Sequence, residues 1–195
     1  MHKTSDKRER LIEAAKNLIH HQGFHRTTLA DIAKKSGVPL GNVYYYFKTK
    51  EEIGEAVIRE RKKKLTSTLD ICCKQMDPKA ALTKLVKYLT RGSAELAEKG
   101  CPNASLCQEL DKTLSPLTDS ADECMRVLIG WASDQFKALG YRDPDGMGFE
   151  FIARLQGTML LGHALHDPKL IRRQLTALCE WIDGLDDVRA RRKSA

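Results

Sequence analysis

The sequence predicts an all-α chain with a small N-terminal helix-turn-helix unit and a larger helical remainder. Three observations predict it. Apolar residues recur at i, i+3 and i+4 through most of the chain, the period of helices buried on one face. No convincing run alternates apolar with polar residues, so no strand is expected. The formal charge of +7 over 195 residues is confined to residues 1–64, which hold 15 Lys+Arg against 8 Asp+Glu, while residues 65–195 hold 18 of each. A polyanionic partner for the first third is the natural inference.

Ser5 and Asp6 suit a helix start, and Leu11, Ala14, Ala15, Leu18 and Ile19 form its apolar stripe before Gly23 stops it. His20 and His21 stand where a helix end favours cations. The stretch Thr27–Lys50 then reads as two short helices and a tight turn. Thr28 and Asp31 approach a capping box, Leu29, Ile32 and Ala33 share a face, and Gly37 is the stop. Pro39 opens the next helix, where its missing N–H costs nothing. There Val43 and Phe47 face inward at i, i+4, which turns Asn42, Tyr45 and Tyr46 outward and leaves Tyr44 on the flank. An outward face of tyrosines and an amide on two helical turns is a poor core element and a good reader of a DNA groove.

Thr49 and Glu52 form a capping box for a long helix with Ile53, Ala56, Val57, Leu65, Leu69, Cys72 and Met76 on its inner face. Its basic middle, residues 59–64, is expected to be solvated. Four later pairs place a capping side chain before proline: Asp77-Pro78, Ser115-Pro116, Asp143-Pro144 and Asp167-Pro168. Helical spacing follows each. The first of these helices runs to Gly100, a short helix fits between Pro102 and Leu110, and the third ends at Gly140. The organisation is a helix-turn-helix unit over 1–48, a connecting helix over 49–76, a larger helical region over 77–188, and a disordered basic tail over 189–195.

Residues 8–54 resemble the N-terminal domain of TetR-type transcriptional regulators. The resemblance rests on Gly23-Phe24, Thr27-Thr28, Ile32-Ala33, Gly37-Val38, Gly41, Tyr44, Phe47, Lys50 and Glu52. It implies a DNA-binding domain over 1–48, a ligand-binding and dimerisation domain over 77–188, a homodimer of about nine helices per chain, a palindromic double-stranded DNA operator and, as the family default, repression. Its DNA-contacting positions are Thr27, Thr28, Pro39, Leu40, Gly41, Asn42, Tyr44, Tyr45, Tyr46 and Lys50. Thr28, Tyr44 and Lys50 would clamp phosphates, helix N-termini being suited to anions. Pro39, Leu40, Asn42 and Tyr45 would read bases, and Gly41 would let the helix approach. The last two helices, about 145–166 and 168–186, would form the dimer interface, with Ala153, Gly157 and Gly162 allowing close approach.

A small-molecule effector is expected among the helices spanning 78–166, with Leu89, Leu106, Leu128, Trp131, Phe136 and Met159 as candidate lining residues from apolar periodicity. The stretch around Gly100-Cys101 is also similar to a subgroup of these regulators that sense electrophiles and oxidants, although Pro102 departs from that pattern. Cys101 is the candidate sensor thiol, because a helix N-terminus stabilises thiolate, and Cys107 is the candidate resolving partner. Cys72, Cys73, Cys124 and Cys179 read as small apolar fillers.

No run of 18 apolar residues exists and the N-terminus is charged, so neither a membrane span nor a secretory signal is expected. A cytoplasmic chain with reduced cysteines follows. No phosphate loop, nucleophile elbow or paired acid motif argues for an enzyme, and no cofactor is expected. Two other readings compete. One is an architectural DNA binder without an effector, which leaves the neutral two thirds without a purpose. The other is a metal-dependent helical protein using His163 and His166 with Cys179 or Asp167; polar packing near a helix end explains that pair more simply, so no metal is expected.

Overall fold

The computed structural model describes residues 2–74 and 77–186, with side chains from Asp6 onward. Met76 and the tail 189–195 lie outside the described residues. The described residues form ten helices and no strand: α1 His2–Gln22, α2 Leu29–Ser36, α3 Leu40–Tyr46, α4 Lys50–Cys73, α5 Pro78–Arg91, α6 Ser93–Lys99, α7 Pro102–Lys112, α8 Thr118–Leu139, α9 Pro144–Ala164 and α10 Pro168–Asp183.

The tenth segment arises at Gly92, where the run from Pro78 to Lys99, read as one helix, breaks into α5 and α6. A glycine inside a helix costs about 1 kcal/mol relative to alanine. The next residue, Ser93, is buried and accepts a hydrogen bond from the Arg172 guanidinium at 2.9 Å. Asp77, Asp143 and Asp167 each cap a helix whose first residue is proline. Ser115-Pro116 does not. It forms a turn in which Ser115 Oγ accepts from Leu117 N–H at 3.2 Å, and α8 starts later, at Thr118.

The chain divides into two compact units that do not follow chain order. One holds the chain up to Lys64 together with Pro102–Cys124; the other holds Leu65–Cys101 and the chain from Met125 onward. In the first unit α1 packs on α2, α2 on α3 and α7 on α1. Its buried side chains include Leu11, Ala15, Ile19, Phe24, Ile32, Val43, Phe47, Ile53 and Val57. The basic stretch of α4 is not wholly solvated, because Arg61 is buried and donates to Pro102 O at 2.6 Å.

In the second unit α10 packs on α5, α6 and α9, and α6 packs on α9. Leu82, Phe136, Phe151, Leu155, Ile171, Leu175 and Ile182 are buried at its centre. Helix α9 has two faces. Gly148, Phe151, Ile152, Leu155, Met159 and Gly162 are buried, whereas Phe149, Leu160 and Leu161 are more than half exposed, with Ala153 and Ala164 also exposed. No described helix is long and apolar enough to cross a membrane.

Candidate nucleic-acid interface

Local chemistry sets the start of α2. Thr28 has extended backbone and its Oγ1 accepts from Asp31 N–H at 3.1 Å, while the Asp31 carboxylate takes the Thr28 N–H at 3.0 Å. The capping box is therefore complete. With Thr28 N–H and O–H both bound to Asp31, any anion at this helix start meets the Leu29 and Ala30 amides, which have no acceptor in the helical ladder. The Thr28 hydroxyl and then its backbone N–H hold the Asp31 carboxyl below the usual aspartate range. The cap is thus fully present above the ordinary aspartate pKa and is lost as pH falls through the lowered value. Amide exchange at Thr28, followed while pH is lowered, is expected to accelerate only below the usual aspartate range, and an Asp31→Asn variant should exchange fast throughout.

Gly37, at φ 67°, adopts the left-handed conformation that ends α2. Arg10 donates to Ser36 O beside it. Pro39 is the N-cap of α3 rather than its first helical residue. Val43 is fully buried and Phe47 is 3% exposed, with the Arg8 guanidinium 5.2 Å from the Phe47 ring centre. Their burial turns the other face out. Leu40, Tyr44 and Tyr45 are exposed, Tyr45 by 72%, and Pro39, Gly41 and Asn42 are exposed with them. Nothing stands within 4 Å of a side chain built at Gly41. Tyr46 is half-buried, edge-on to Tyr45 at 5.1 Å. Lys48, which sequence reasoning passed over, donates to Tyr44 O at 2.8 Å and adds a cation at the end of α3.

Thr27 and Lys50 are placed differently from the rest. Thr27 is 1% exposed and its hydroxyl donates to Gly23 O at 2.7 Å, so its side chain closes the α1–α2 turn instead of facing outward. Lys50 is half-buried, its ammonium 4.6 Å from the Phe24 ring centre and donating to Phe24 O and His25 O at 3.2 Å each.

Residues 11–57 match the family model of bacterial regulatory proteins of the tetR family. The transcriptional regulator LmrA of Bacillus subtilis is 30% identical over 131 residues, covering 66% of this chain and 68% of LmrA. The chain belongs to the TetR family. As a TetR-family protein it is a DNA-binding transcriptional regulator, and the family is one of regulators rather than enzymes. The fold agrees. A TetR transcriptional regulator from Chloroflexus aurantiacus superposes with a TM-score of 0.82 at 20% identity, covering 94% of this chain and 98% of that one. Reduced Escherichia coli NemR superposes with 0.73 at 19% identity, covering 89% and 95%.

Of the six expected effector-lining residues of this TetR-family chain, Leu106 falls in the first unit and the other five in the second. Leu128, Phe136 and Met159 are buried in the core cluster, and Leu89 packs against its edge. Trp131 donates its indole N–H to Cys73 Sγ at 2.8 Å. A cavity of about 620 Å³ does exist in the second unit, but Thr68, Ile71, Cys72, Ala80, Thr83, Tyr88 and neighbouring charged residues line it, and none of the six.

All six cysteines are free, and Cys101 is half-buried against the core cluster. Cys107 donates its thiol to Ala121 O at 3.2 Å. Burial pushes the Cys72, Cys124 and Cys179 thiols up, as expected of apolar fillers. Cys73, with its indole partner, is more than a filler. His163 Nδ1 lies 3.1 Å from Ala97 O and its ring meets His166 edge-on at 5.9 Å. Among the described residues no group of three or more His, Cys, Asp or Glu side chains converges as a metal site.

Proposed function

We propose that the chain is a cytoplasmic repressor that binds a palindromic operator as a homodimer and is released by a small-molecule effector or by modification of Cys101. The observation that carries the DNA reading is the exposed face of α3, where Leu40, Asn42, Tyr44 and Tyr45 stand out from a helix whose Val43 is fully buried. Asparagine pairs with the N7/N6 edge of adenine, and leucine packs on a thymine methyl. Phosphate contacts fall to the start of α2, to Tyr44 and to Lys50.

The dimer reading rests on α9. Phe149, Ala153, Gly157, Leu160, Leu161 and Ala164 recur at helical spacing as one stripe, opposite the face that packs in the core. A Cβ at Gly157 would meet nothing within 4 Å, so that glycine leaves room for a second copy. Gly162 belongs to the other side: a Cβ there would lie 2.1 Å from Ile171 Cγ1, so it serves α9–α10 packing within one chain.

Selection of duplexes from a random pool by the wild-type protein tests the reading, and an enriched site with two-fold symmetry is expected. Recovery of no enriched duplex would reject it. Asn42→Ala should relax the preferred base at one position per half-site, by about 1–3 kcal/mol of discrimination. Lys50→Met should weaken binding to every sequence and make log K fall less steeply with log salt, by about 0.9 per lost phosphate contact. The thiol arm is separable. Wild type should leave its duplex after quinone or hypochlorite treatment while Cys101→Ser stays bound, and equal release of both would remove Cys101. A thermal-shift screen of small hydrophobic compounds addresses the effector.

A further inference from the structure

Phe24 and His25, in the turn between α1 and α2, are held by charged groups remote in sequence. From one side the Glu109 carboxylate of α7 accepts the Phe24 N–H on Oε2 and the His25 N–H on Oε1, both at 2.8 Å. Just past the end of α7, Thr113 Oγ1 lies 2.8 Å from His25 Nε2 and touches the turn again. From the other side the Lys50 ammonium donates to Phe24 O and His25 O. The peptide group joining Phe24 to His25 therefore has a carboxylate on its N–H and an ammonium on its C=O. Both charges polarise it in the same sense, so each bond strengthens the other. Gly23 makes the arrangement possible. Its φ is +88°, and a Cβ there would lie 2.9 Å from both Glu109 oxygens.

The consequence reaches the DNA face. A lysine ammonium has three donors on a flexible four-carbon stem. Two of those of Lys50 are spent on this turn, which orders the stem and leaves one for an outside acceptor. The same turn leads within three residues to Thr28, the cap of α2. We propose that Glu109 is a positioning residue for DNA binding: by pinning the Phe24–His25 peptide it presents the Lys50 ammonium and the start of α2 to phosphates already ordered. Glu109 does not touch DNA, since both its oxygens are committed to backbone amides and its charge would repel phosphate. Helix α7 thereby sets affinity for a ligand read by α3, more than fifty residues earlier. The proposal rests on the reading of Lys50 as a phosphate contact.

The test compares wild type, E109Q, K50M and the double variant on a duplex selected by the wild-type protein, across a series of salt concentrations. Amide exchange at Phe24 and His25 is followed in the same proteins without DNA. Glutamine keeps the volume but offers one acceptor oxygen, so one of the two N–H groups faces a donor. E109Q is expected to exchange faster at the amide left facing the donor, to bind about tenfold more weakly, and to show a shallower salt slope. Added to K50M it should cost little more, because the two act through one peptide. Should E109Q fail to fold, E109D, which withdraws the carboxylate by one methylene, should show the same pattern to a lesser degree. Additive losses with an unchanged salt slope would overturn the proposal, as would unaltered amide exchange in E109Q. A K50M slope equal to that of wild type overturns the Lys50 reading and the proposal with it, while accelerated exchange in E109Q would locate the failure at Lys50 and not at the Glu109 contact. Failure of wild type to select any duplex removes both.

Discussion

A Leu161→Asp variant is expected to be a folded monomer that binds its operator at least about a hundredfold more weakly than wild type, since linking two binding modules raises avidity by about 10²–10⁴. Leu161 is 59% exposed within one chain, so the substitution removes no contact from the core described above. In the proposed dimer it lies beside Leu160 and one helical turn from Gly157, in the middle of the outer stripe of α9. Placing a carboxylate in a desolvated, apolar contact without a partner costs several kcal/mol, and two-fold symmetry makes the cost fall twice. Light scattering coupled to size exclusion gives the mass, and anisotropy of a labelled duplex gives the affinity. A Leu161→Asp protein that remains dimeric would place the interface elsewhere. Gly162→Val should behave differently. It destabilises each chain by driving a side chain into Ile171, whether or not a dimer forms.

Phe136→Ala is expected to cost about 3–5 kcal/mol of stability, the range for truncating a buried phenylalanine. Phe136 is fully buried and sits among three other aromatic rings, with centroids 5.6 Å from Tyr141, 6.4 Å from Phe151 and 6.2 Å from Trp181. Its loss leaves a cavity and removes edge-to-face contacts worth about 0.5–1.5 kcal/mol beyond area burial. Against a typical domain stability of about 5–15 kcal/mol that is a large fraction. Urea unfolding monitored by Trp fluorescence measures it. A loss below about 1 kcal/mol, accompanied by a changed effector response, would return Phe136 to the role of a pocket-lining residue.

The contrast between these residues and the DNA face shows what the sequence could carry. Helices α2 and α3 were legible because their signals are local: Thr28 with Asp31, Gly37 at the stop, Val43 with Phe47. Each signal acts within one turn or cap, where spacing and geometry coincide. Phe136 and Met159 stand on inward faces, and periodicity identifies such a face without saying whether a ligand or another helix fills it. Gly157 and Gly162 look alike in sequence, and only the packing of Ile171 separates them. Glu109 was invisible for another reason. Its partners are 85 and 84 residues away, and nothing near it in the chain signals a turn in need of an acceptor. Lys50 was found by resemblance, but its tie to two carbonyls of the α1–α2 turn is tertiary information.

The first compact unit is assembled from two stretches of chain, the second of which ends at Cys124. During synthesis, then, the recognition helix leaves the ribosome long before its surroundings are complete. Leu110 and Leu117, both buried, and Glu109 with its hold on the α1–α2 turn arrive only after the intervening residues 65–101 have been made. Contacts of such sequence separation form late and slow folding. A nascent chain stalled before residue 102 would carry the whole α3 reading face yet lack α7 and the turn it secures. Completion of the first unit is thus deferred until more than half of the polypeptide exists.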